Sequence, residues 1–318
     1  MAGNHRAGHG KGSRSSRLLK VLVSVVAVVL TLAGSFYVVN SHLSGCSAKG
    51  AFTVAADPSI APVLDRLVRS SSAEDLECAE VSVQAVDSAQ QLAAMGSGKS
   101  TPAVWIPDST IWLARLGQAT GLPVDIVVES AATTPAVVVG QKAKPLKVKS
   151  WLDVLKLKNL GLGDPLSSSV SSAPIAASLA ESATQKQDPK VVAAAMVPLA
   201  QAQLSKAPVT SQDQRIEQVK ADGGAAIVTE QAVVSRKDAG LTAIVPPSGS
   251  VFLNFPIAAT EPTSGDHDRA RKIAKSVGKL LGSSDGRQGL SAAAFRAPDG
   301  GALADGRGVG QIASITAV

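Results

Sequence analysis

Residues 52–68 read FTVAADPSIAPVLDRLV, and this stretch sets the pattern for the rest of the chain. Phe52–Asp57 is a short apolar run rich in strand formers, which predicts a buried strand. Pro58 suits the first turn of a helix with Asp57 as its N-cap. The apolar residues from Ile60 to Val68 then recur at helical spacing. The stretch therefore predicts one strand–helix unit with polar side chains at the joint.

Two further units of the same kind follow. Val81–Val86 alternates and predicts a second strand, and Ser88 begins a helix. Ala103–Ile106 predicts a third strand, and Pro107-Asp108-Ser109 leads from it into another helix. Three βα units in succession indicate an α/β fold in which helices cover a parallel sheet.

Short apolar runs continue to alternate with helical patterns beyond residue 125. They predict strands at Ile126–Val128, Ala136–Val139, Leu160–Leu162, Ala225–Val228 and Leu241–Val245, with an extended piece at Phe252–Ile257. Helices are predicted at Trp151, from Ser167 past Leu179, at Val191–Leu204, at Gln212–Lys220 and at His267–Leu281. The Gly-rich end from Asp299 is expected to be loose.

The N-terminus has the pattern of a membrane anchor. The run VLVSVVAVVLTLAGSFYVV, Val21–Val39, carries no charge and is long enough to cross roughly 30 Å of hydrocarbon as a helix. Residues 1–20 hold five basic residues, and no acidic residue precedes Asp57. Because positive charge stays in the cytoplasm, the sequence predicts a basic cytoplasmic tail, a single span and an extracytoplasmic C-terminal part. A cleaved signal peptide is the alternative interpretation of residues 21–39.

Cys46 and Cys78 are the two cysteines of the chain, and both follow the apolar run. In an oxidising compartment they are expected to form one disulfide bond. A second interpretation of Cys46 stays open, because Leu43-Ser44-Gly45-Cys46 resembles a bacterial lipobox, whose cysteine is acylated. The two interpretations compete for the same sulfur atom.

Composition excludes several classes of function. The chain has 31 basic and 25 acidic residues, but the basic excess lies in the tail, so a nucleic-acid surface is not implied. The four histidines do not suggest a zinc site or a serine hydrolase, and no Gly-x-Ser-x-Gly elbow is present. Gly98-Lys99-Ser100 lacks the first glycine of a phosphate-binding loop. We therefore expect no enzyme activity, no cofactor and no metal.

Several segments, taken in order, carry a family resemblance. They are AADPSIAPV at 55–63, VWIPDS at 104–109, TPAVV at 134–138, GDP at 163–165, AAIVTEQ at 225–231, PPSG at 246–249, NFPI at 254–257 and AFRAPDG at 294–300. Their order resembles the type II extracellular solute-binding proteins. It most resembles the molybdate-binding-protein-like branch that some bacteria fuse to a von Willebrand factor A domain. The Asp-x-Ser-x-Ser signature of that domain is absent from this sequence.

The resemblance implies a two-lobed, periplasmic-binding-protein-like type II fold, here preceded by one transmembrane helix. Residues 46–133 together with 257–318 would form lobe 1, and residues 134–256 would form lobe 2. Two extended crossings would join them, near Ser130–Val138 and Pro246–Ile257. A ligand would lie between the lobes.

The carboxyl ends of the strands nominate the residues that face a ligand, because ligands collect there in open α/β sheets. Each has a plainer interpretation as a helix cap, a core residue or a surface residue. The nominated residues are Asp57, Ser59, Trp105, Asp108 and Ser109 from lobe 1, and Asp164, Ser167, Ser168 and Glu230 from lobe 2.

Electrostatics favours a neutral or cationic ligand over molybdate. Helix N-termini attract anions, but Asp57 and Asp108 would lie beside the ligand, and these motifs hold no compensating Lys or Arg. We therefore expect a membrane-anchored, extracytoplasmic solute-binding protein with a small-molecule ligand, and a membrane permease as a further partner. The alternative is a non-catalytic cell-surface structural or interaction module that has lost its ligand and binds a cell-surface protein.

Overall fold

Strands and helices alternate along most of the chain. The computed structural model describes Cys46 and residues 50–121, 124–204, 211–260 and 266–315. Its strands are β1 (Ala51–Ala56), β2 (Glu80–Ala85), β3 (Val104–Ile106), β4 (Asp125–Val128), β5 (Thr134–Gln141), β6 (Leu160–Gly161), β7 (Ala225–Thr229), β8 (Leu241–Ile244), β9 (Phe252–Leu253) and β10 (Ile257–Ala259). Its helices are α1 (Ala61–Ser70), α2 (Ser88–Gly96), α3 (Thr110–Thr120), α4 (Trp151–Leu155), α5 (Ser169–Thr184), α6 (Lys190–Leu204), α7 (Gln212–Asp222), α8 (Glu230–Val234), α9 (His267–Gly282) and α10 (Ser284–Ala292).

The first sheet has the strand order β2-β1-β3-β10-β4. β1 pairs in parallel with both β2 and β3, which confirms the parallel arrangement predicted for the first three units. β10 is antiparallel to both β3 and β4 and lies between them. The chain therefore returns from residue 257 to complete a sheet that it began at residue 51.

The second sheet has the order β6-β7-β5-β8, and β9 also pairs with β5. β5 runs antiparallel to β7 and β8, while β6 is parallel to β7. Nearly every residue of β5 and β7 is buried, as expected for central strands covered on both faces. The molecule is thus a mixed α/β fold with two sheets.

Helices complete each half of the fold. We call β1–β4, β10, α1–α3, α9 and α10 the first half, and β5–β9 with α4–α8 the second half. α1 buries Val63, Leu64 and Leu67, and α9 buries Ile273 and Val277. These aliphatic residues belong to one large core cluster. Burial of side chains of this size stabilises a fold by about 1.5–3 kcal/mol each, which explains how a core with few aromatics holds together.

The first helix begins later than its sequence predicts. α1 starts at Ala61 with Pro62 in its first turn, and its N-cap position is Ile60. Asp57 does not cap α1, because its carboxylate instead accepts the backbone N–H of Ser59 (2.9 Å) and forms a local turn. The prediction that Asp57 caps a helix beginning at Pro58 is therefore wrong.

Three extended stretches connect the halves. Ala131 N donates to Phe255 O (3.0 Å), which holds the first two crossings side by side. Thr133 and Arg296 exchange two backbone hydrogen bonds of 3.1 and 2.9 Å. The last of these stretches, after α10, was not predicted as a crossing.

The C-terminal residues are well tied to the second half. Ser250 forms an isolated bridge with Ser314, and Ile315 N donates to Ser250 O (2.8 Å). The expectation that the chain becomes loose from Asp299 is wrong for residues 299–315. Backbone pairing with the buried Ser250 holds the end of this stretch in place, and composition alone does not reveal such a contact.

Both cysteines, Cys46 and Cys78, are disulfide-bonded, which confirms the predicted bridge. The bridge occupies the sulfur that the lipobox interpretation also requires. The proposed anchor, Val21–Val39, lies outside the described residues, as does the basic tail before it. Within the described part of the chain, no helix combines the length and the apolar character needed to span a membrane.

Candidate functional site

Asp57 and Asp108 follow two neighbouring strands. β1 and β3 are parallel, with Ala56 opposite Ile106, so their carboxyl ends meet at one edge of the first sheet. Asp57 directly follows β1, and its backbone N–H donates to Ile106 O (2.9 Å). Asp108 follows β3 after a single proline. The fold thus brings these two predicted site residues together, as strand-end geometry requires.

Each carboxylate is held by its own set of donors. Oδ1 of Asp57 accepts the backbone N–H (2.9 Å) and the hydroxyl (2.6 Å) of Ser59. Oδ1 of Asp108 accepts Nε1–H of Trp112 (2.6 Å) and the hydroxyl of Ser169 (2.8 Å). Short bonds to a carboxylate of this kind are about twice as strong as bonds between neutral groups. The two side chains are therefore fixed in place.

Ser88 secures the loop that carries Asp108. Ser88 is buried at the start of α2, and its Oγ accepts the backbone N–H of Asp108 (3.1 Å). Asp87, just before it, caps α2 by accepting the N–H groups of Ala89 and Gln90. The ends of β1, β2 and β3 thus form one polar cluster, which comprises Asp57, Asp87, Ser88 and Asp108.

The cluster raises the proton affinity of both carboxyl groups. Burial and, second, the nearby charge of Asp57 raise the pKa of Asp108 to about 7, while the hydrogen bonds from Ser169 and Trp112 oppose the shift. Burial also raises the pKa of Asp57, against the hydrogen bonds from Ser59. The charge of Asp87 contributes to both shifts in the same direction. A proton or a cation placed here would relieve the repulsion.

Residues of α5 reach this cluster from the second half. Ser169 Oγ lies 2.7 Å from Trp112 Nε1 and 2.8 Å from Asp108 Oδ1. Nearby, Arg115 Nη1 donates to Leu166 O (2.9 Å), and its guanidinium lies 4.7 Å above the centre of the Trp112 ring. The two halves therefore contact each other directly at the ends of β1 and β3.

A groove of about 1300 Å³ opens beside these contacts. α3 and α5 form its walls, and the crossings around Ser130 and Asn254 form its floor. Asn254 ties the floor to the wall: Oδ1 accepts Thr110 N–H (3.1 Å), and Nδ2 donates to Glu129 O (3.1 Å). Ser109, which caps α3 by accepting Ile111 N–H, lines the groove with Ser169.

The described lining of the groove has no positively charged side chain. Among the described residues that line it, the charged ones are Glu129 and Asp299, and none is Lys, Arg or His. The rest of the lining is largely aliphatic, with serine and threonine hydroxyls. The described residues contain no group of three or more His, Cys, Asp or Glu side chains that could hold a metal ion.

Five of the predicted site residues lie outside the cluster around Asp57 and Asp108: Trp105, Asp164, Ser167, Ser168 and Glu230. Trp105 is 1% exposed and packs in the core against Met95 and Trp112, so it does not reach the cleft surface. Asp164 accepts Leu166 N–H (2.9 Å) and the hydroxyl of Ser167 (2.8 Å) within its own loop. Ser168 is the N-cap of α5. The loop thus satisfies these polar groups locally and presents the next residue, Ser169, to Asp108.

Glu230 belongs to a buried ion pair away from the cluster. Its carboxylate accepts Nε (2.6 Å) and Nη2 (2.8 Å) of Arg296, and both side chains are 0% exposed. The same carboxylate accepts Val309 N–H (2.8 Å), while Arg296 donates to Gly300 O and Gly310 O. The pair fastens the C-terminal residues to the start of α8 and has no surface to offer a ligand.

Sequence reasoning missed Ser88, Trp112, Arg115 and Ser169. Trp112 fits the apolar spacing of α3, and this pattern gives no sign that its Nε1–H turns toward the cleft. Ser169 is the third serine of a run in which the first two are equally good candidates. Only the packing of α5 against α3 distinguishes them.

The comparisons with known proteins agree with this architecture. The family described as bacterial extracellular solute-binding protein matches residues 52–296. No curated protein sequence is significantly similar to the chain.

Solved structures of solute-binding proteins share the fold at low sequence identity. The sulfate-binding protein SubI of Mycobacterium tuberculosis H37Rv has a TM-score of 0.60 and 17% identity, over 79% of this chain and 88% of that one. A ferric binding protein from Campylobacter jejuni has a TM-score of 0.58 and 12% identity, over 82% and 89%. Iron-bound HitA from Pseudomonas aeruginosa has a TM-score of 0.57 and 14% identity, over 81% and 88%. At such identities the likeness concerns the fold alone.

Proposed function

We propose that this chain, which belongs to the family of bacterial extracellular solute-binding proteins, holds a small neutral or cationic solute between its two halves. The observation that carries the proposal is the pair of neighbouring carboxyl groups, Asp57 and Asp108, at the ends of β1 and β3. Ser169 at the N-terminus of α5 faces them from the other half. We assign Ser59 and Ser109 to the same site.

The charge of the site supports this choice of ligand. Two like charges about 4 Å apart repel by roughly 4 kcal/mol at an effective dielectric constant of 20. A sulfate or molybdate ion between Asp57 and Asp108 would meet such repulsion from each ionised carboxylate. A cation would be attracted instead, and a neutral ligand could accept a hydrogen bond from a protonated carboxyl group. We therefore do not expect molybdate as the ligand, although the sequence motifs resemble the molybdate-binding-protein-like branch.

The sequence of the N-terminus supports a proposal for where the protein lies in the cell. We propose that Val21–Val39 anchors the chain in the membrane, with residues 1–20 in the cytoplasm and the two-sheet body outside. An extracytoplasmic solute-binding protein delivers its ligand to a membrane permease, and we propose such a permease as its partner. Lobe 1 would comprise residues 46–133 and the chain from 257 through α10, and lobe 2 residues 134–256 together with residues 299–315, which bond to the second half. We propose no catalytic activity.

Thermal unfolding of the purified full chain tests the ligand class. The probes are a primary amine, a quaternary ammonium ion, a neutral sugar, sulfate and molybdate. A ligand at about 100 times its Kd stabilises the folded state by about 2.7 kcal/mol, which raises the Tm by several degrees. We expect this rise from an amine, an ammonium ion or a sugar. Tight binding of sulfate or molybdate in a calorimetric titration would refute the proposal.

Substitutions test whether the ligand-induced rise in Tm depends on the two carboxyl groups. Asp57→Asn and Asp108→Asn each keep the shape and the acceptor oxygen of the side chain but remove its charge. Both should abolish the rise caused by a cation. Asp222→Asn, an exposed change at the end of α7, is the matched control and should leave the rise intact. Equal loss in all three variants would show that the carboxyl pair is not the site.

One observation favours a second function, that of a cell-surface interaction module with a degenerate solute-binding fold. Asp108, Trp112 and Ser169 satisfy one another directly across the place where a solute would lie. A module of this kind should show no thermal shift with any small molecule. It should also yield one reproducible partner when proteins are cross-linked at the cell surface.

A further inference from the structure

Lysines collect at one edge of the second sheet. Gly140 of β5 and Leu160 of β6 both pair with Ala225 of β7, so the end of β5 and the start of β6 lie close together. The segment between them, residues 141–159, includes α4 and holds a single acidic residue, Asp153. We call the lysines of this segment the lysine edge: Lys142, Lys144, Lys147, Lys149, Lys156 and Lys158.

Apolar neighbours fix the backbone of the lysine edge, while all of its lysine side chains are exposed. The apolar residues that pack against the core cluster are Leu146, Val148, Leu152 and Leu157. Gly140 leaves room for Leu146, because a Cβ there would lie 2.8 Å from Leu146 Cδ1. Lys142 N also donates to Gly240 O (2.9 Å). The lysines therefore extend from a backbone that packing and hydrogen bonds hold in place.

The charge of the lysine edge is not paired within the described residues. No lysine of the edge forms an ion pair with a described carboxylate. Asp153 and Glu181 accept backbone N–H groups of the same segment (3.0 and 2.9 Å), and Asp238 pairs with Lys220 (3.0 Å). The chain has a formal net charge of +6, most of which lies in residues 1–20. Apart from the lysine edge, the rest of the chain is therefore negative on balance.

The residue types of the edge suit a polymer of negative charges. Protein interfaces are enriched in Trp, Tyr and Arg and depleted in Lys. Residues 141–159 contain no Arg, and their one aromatic side chain, Trp151, is 0% exposed. A single small anion requires convergent donors in a recess, whereas these ammonium groups lie on exposed, flexible stems. A linear polyanion binds such a row of lysines by releasing its condensed counterions.

We propose that the lysine edge binds a flexible extracellular polyanion, a polymer that carries closely spaced phosphate or carboxylate groups. The surface is separate from the cleft. β5 starts beside the crossings, where Thr134 pairs with Leu253, and Gln141 lies about 24 Å farther along the strand. Binding at this edge does not depend on which solute the cleft holds.

An anionic lipid surface carries similar charges but is less well placed. The described body begins with β1, which belongs to the first half, and a membrane anchor before it would be joined there. The lysine edge belongs to the second half, at the end of β5 that is remote from the crossings. A polymer in the surrounding medium reaches this edge whatever the orientation of the body on a membrane. Lipid is therefore the competing outcome of the test.

Binding of long-chain inorganic polyphosphate to the purified full chain, in a neutral detergent, tests the proposal. Titrations at several salt concentrations give the slope of log K against log salt concentration. At about 0.7 counterions released per contact, the lysine edge alone predicts a slope of about −4, so binding should weaken roughly 250-fold between 50 and 200 mM salt. Monomeric phosphate at the same concentration of phosphate groups should bind far more weakly.

Double substitutions assign the binding to the lysine edge. The two test variants are Lys147→Gln with Lys149→Gln, and Lys156→Gln with Lys158→Gln. Each should make the slope less steep by about 1.4. The matched control is Lys272→Gln with Lys275→Gln, on the exposed face of α9, which changes the net charge equally and should leave the slope unchanged. Any binding by the basic tail, residues 1–20, is the same in all three variants.

A less steep slope in both test variants, with no change in the control, is the expected result. The proposal is overturned if the three variants bind alike, if only one test variant differs from the unaltered chain, or if polyphosphate binds no more tightly than monomeric phosphate. Nanodiscs provide the comparison with lipid. The proposal is also overturned if phosphatidylglycerol nanodiscs displace polyphosphate at an equal concentration of phosphate groups while phosphatidylcholine nanodiscs do not.

Discussion

The buried pair of Glu230 and Arg296 should be one of the most costly places to remove a charge. Both side chains are 0% exposed, and the two bonds between them are 2.6 and 2.8 Å long. Removing one member of such a pair leaves the other charged in a medium of low polarity, which destabilises a protein by about 3–5 kcal/mol. We expect a loss of this size from Glu230→Gln and from Arg296→Met.

The double variant tests the physical reason. Glu230→Gln with Arg296→Met leaves no uncompensated charge, and the glutamine oxygen can still accept the N–H of Val309. The double variant should therefore lose at least 2 kcal/mol less than the two single variants together, because residues in contact are not independent. The exposed pair of Asp65 and Arg69 (2.9 Å) is the matched control, and there each single change should cost about 0–1 kcal/mol.

Urea unfolding followed by circular dichroism measures these free energies. In thermal unfolding, 1 kcal/mol corresponds to about 2–4 °C for a body of this size, so the buried changes should lower the Tm by roughly 6–20 °C. Additive losses in the double variant would refute the reasoning. So would single variants that cost no more than those of the surface pair.

Three further predictions concern stability. The pKa of Asp108 is raised from 3.8 to about 7. This difference corresponds to at most about 4 kcal/mol in the free energy of unfolding. The stability that this carboxyl group gives by binding a proton is greatest below its unfolded pKa and is lost as the pH rises toward 7. Asp108→Asn should therefore flatten the dependence of the Tm on pH across that range. Gly308 has φ +77, and a Cβ there would meet the carboxylate of Glu230, so Gly308→Ala should cost about 1–3 kcal/mol in urea unfolding. Reducing the bond between Cys46 and Cys78 should lower stability by roughly 3–4 kcal/mol, seen as a lower Tm with reductant than without.

Much of the fold could be predicted because its signals are local. The strand at residues 51–56, the amphipathic helix after it and the strand at residues 104–106 each show their periodicity within a short window. The pairing of β10 between β3 and β4 could not be predicted in this way. It joins residues about 130 to 150 positions apart, and an antiparallel pairing leaves no mark in the sequence of a three-residue strand.

The candidate site shows the same contrast between local sequence signals and contacts with distant residues. The placement of Asp57 and Asp108 at one sheet edge could be predicted, because the end of a parallel strand is defined by the strand itself. The hydrogen-bond partners of Ser169 and Glu230 could not be predicted, since they lie far away in the sequence. Arg296 lies 66 residues after Glu230, and Asp108 lies 61 residues before Ser169. A strand-end position identifies a place in the fold, whereas only packing decides whether a cleft or a core lies beyond it.

Two opposing influences set the charge preference that we propose for this site. Backbone N–H groups at helix N-termini favour anions. Acidic side chains that follow the strands favour cations instead. Here two carboxyl groups occupy these places, and their mutual repulsion is relieved by a proton or a cation and increased by an anion.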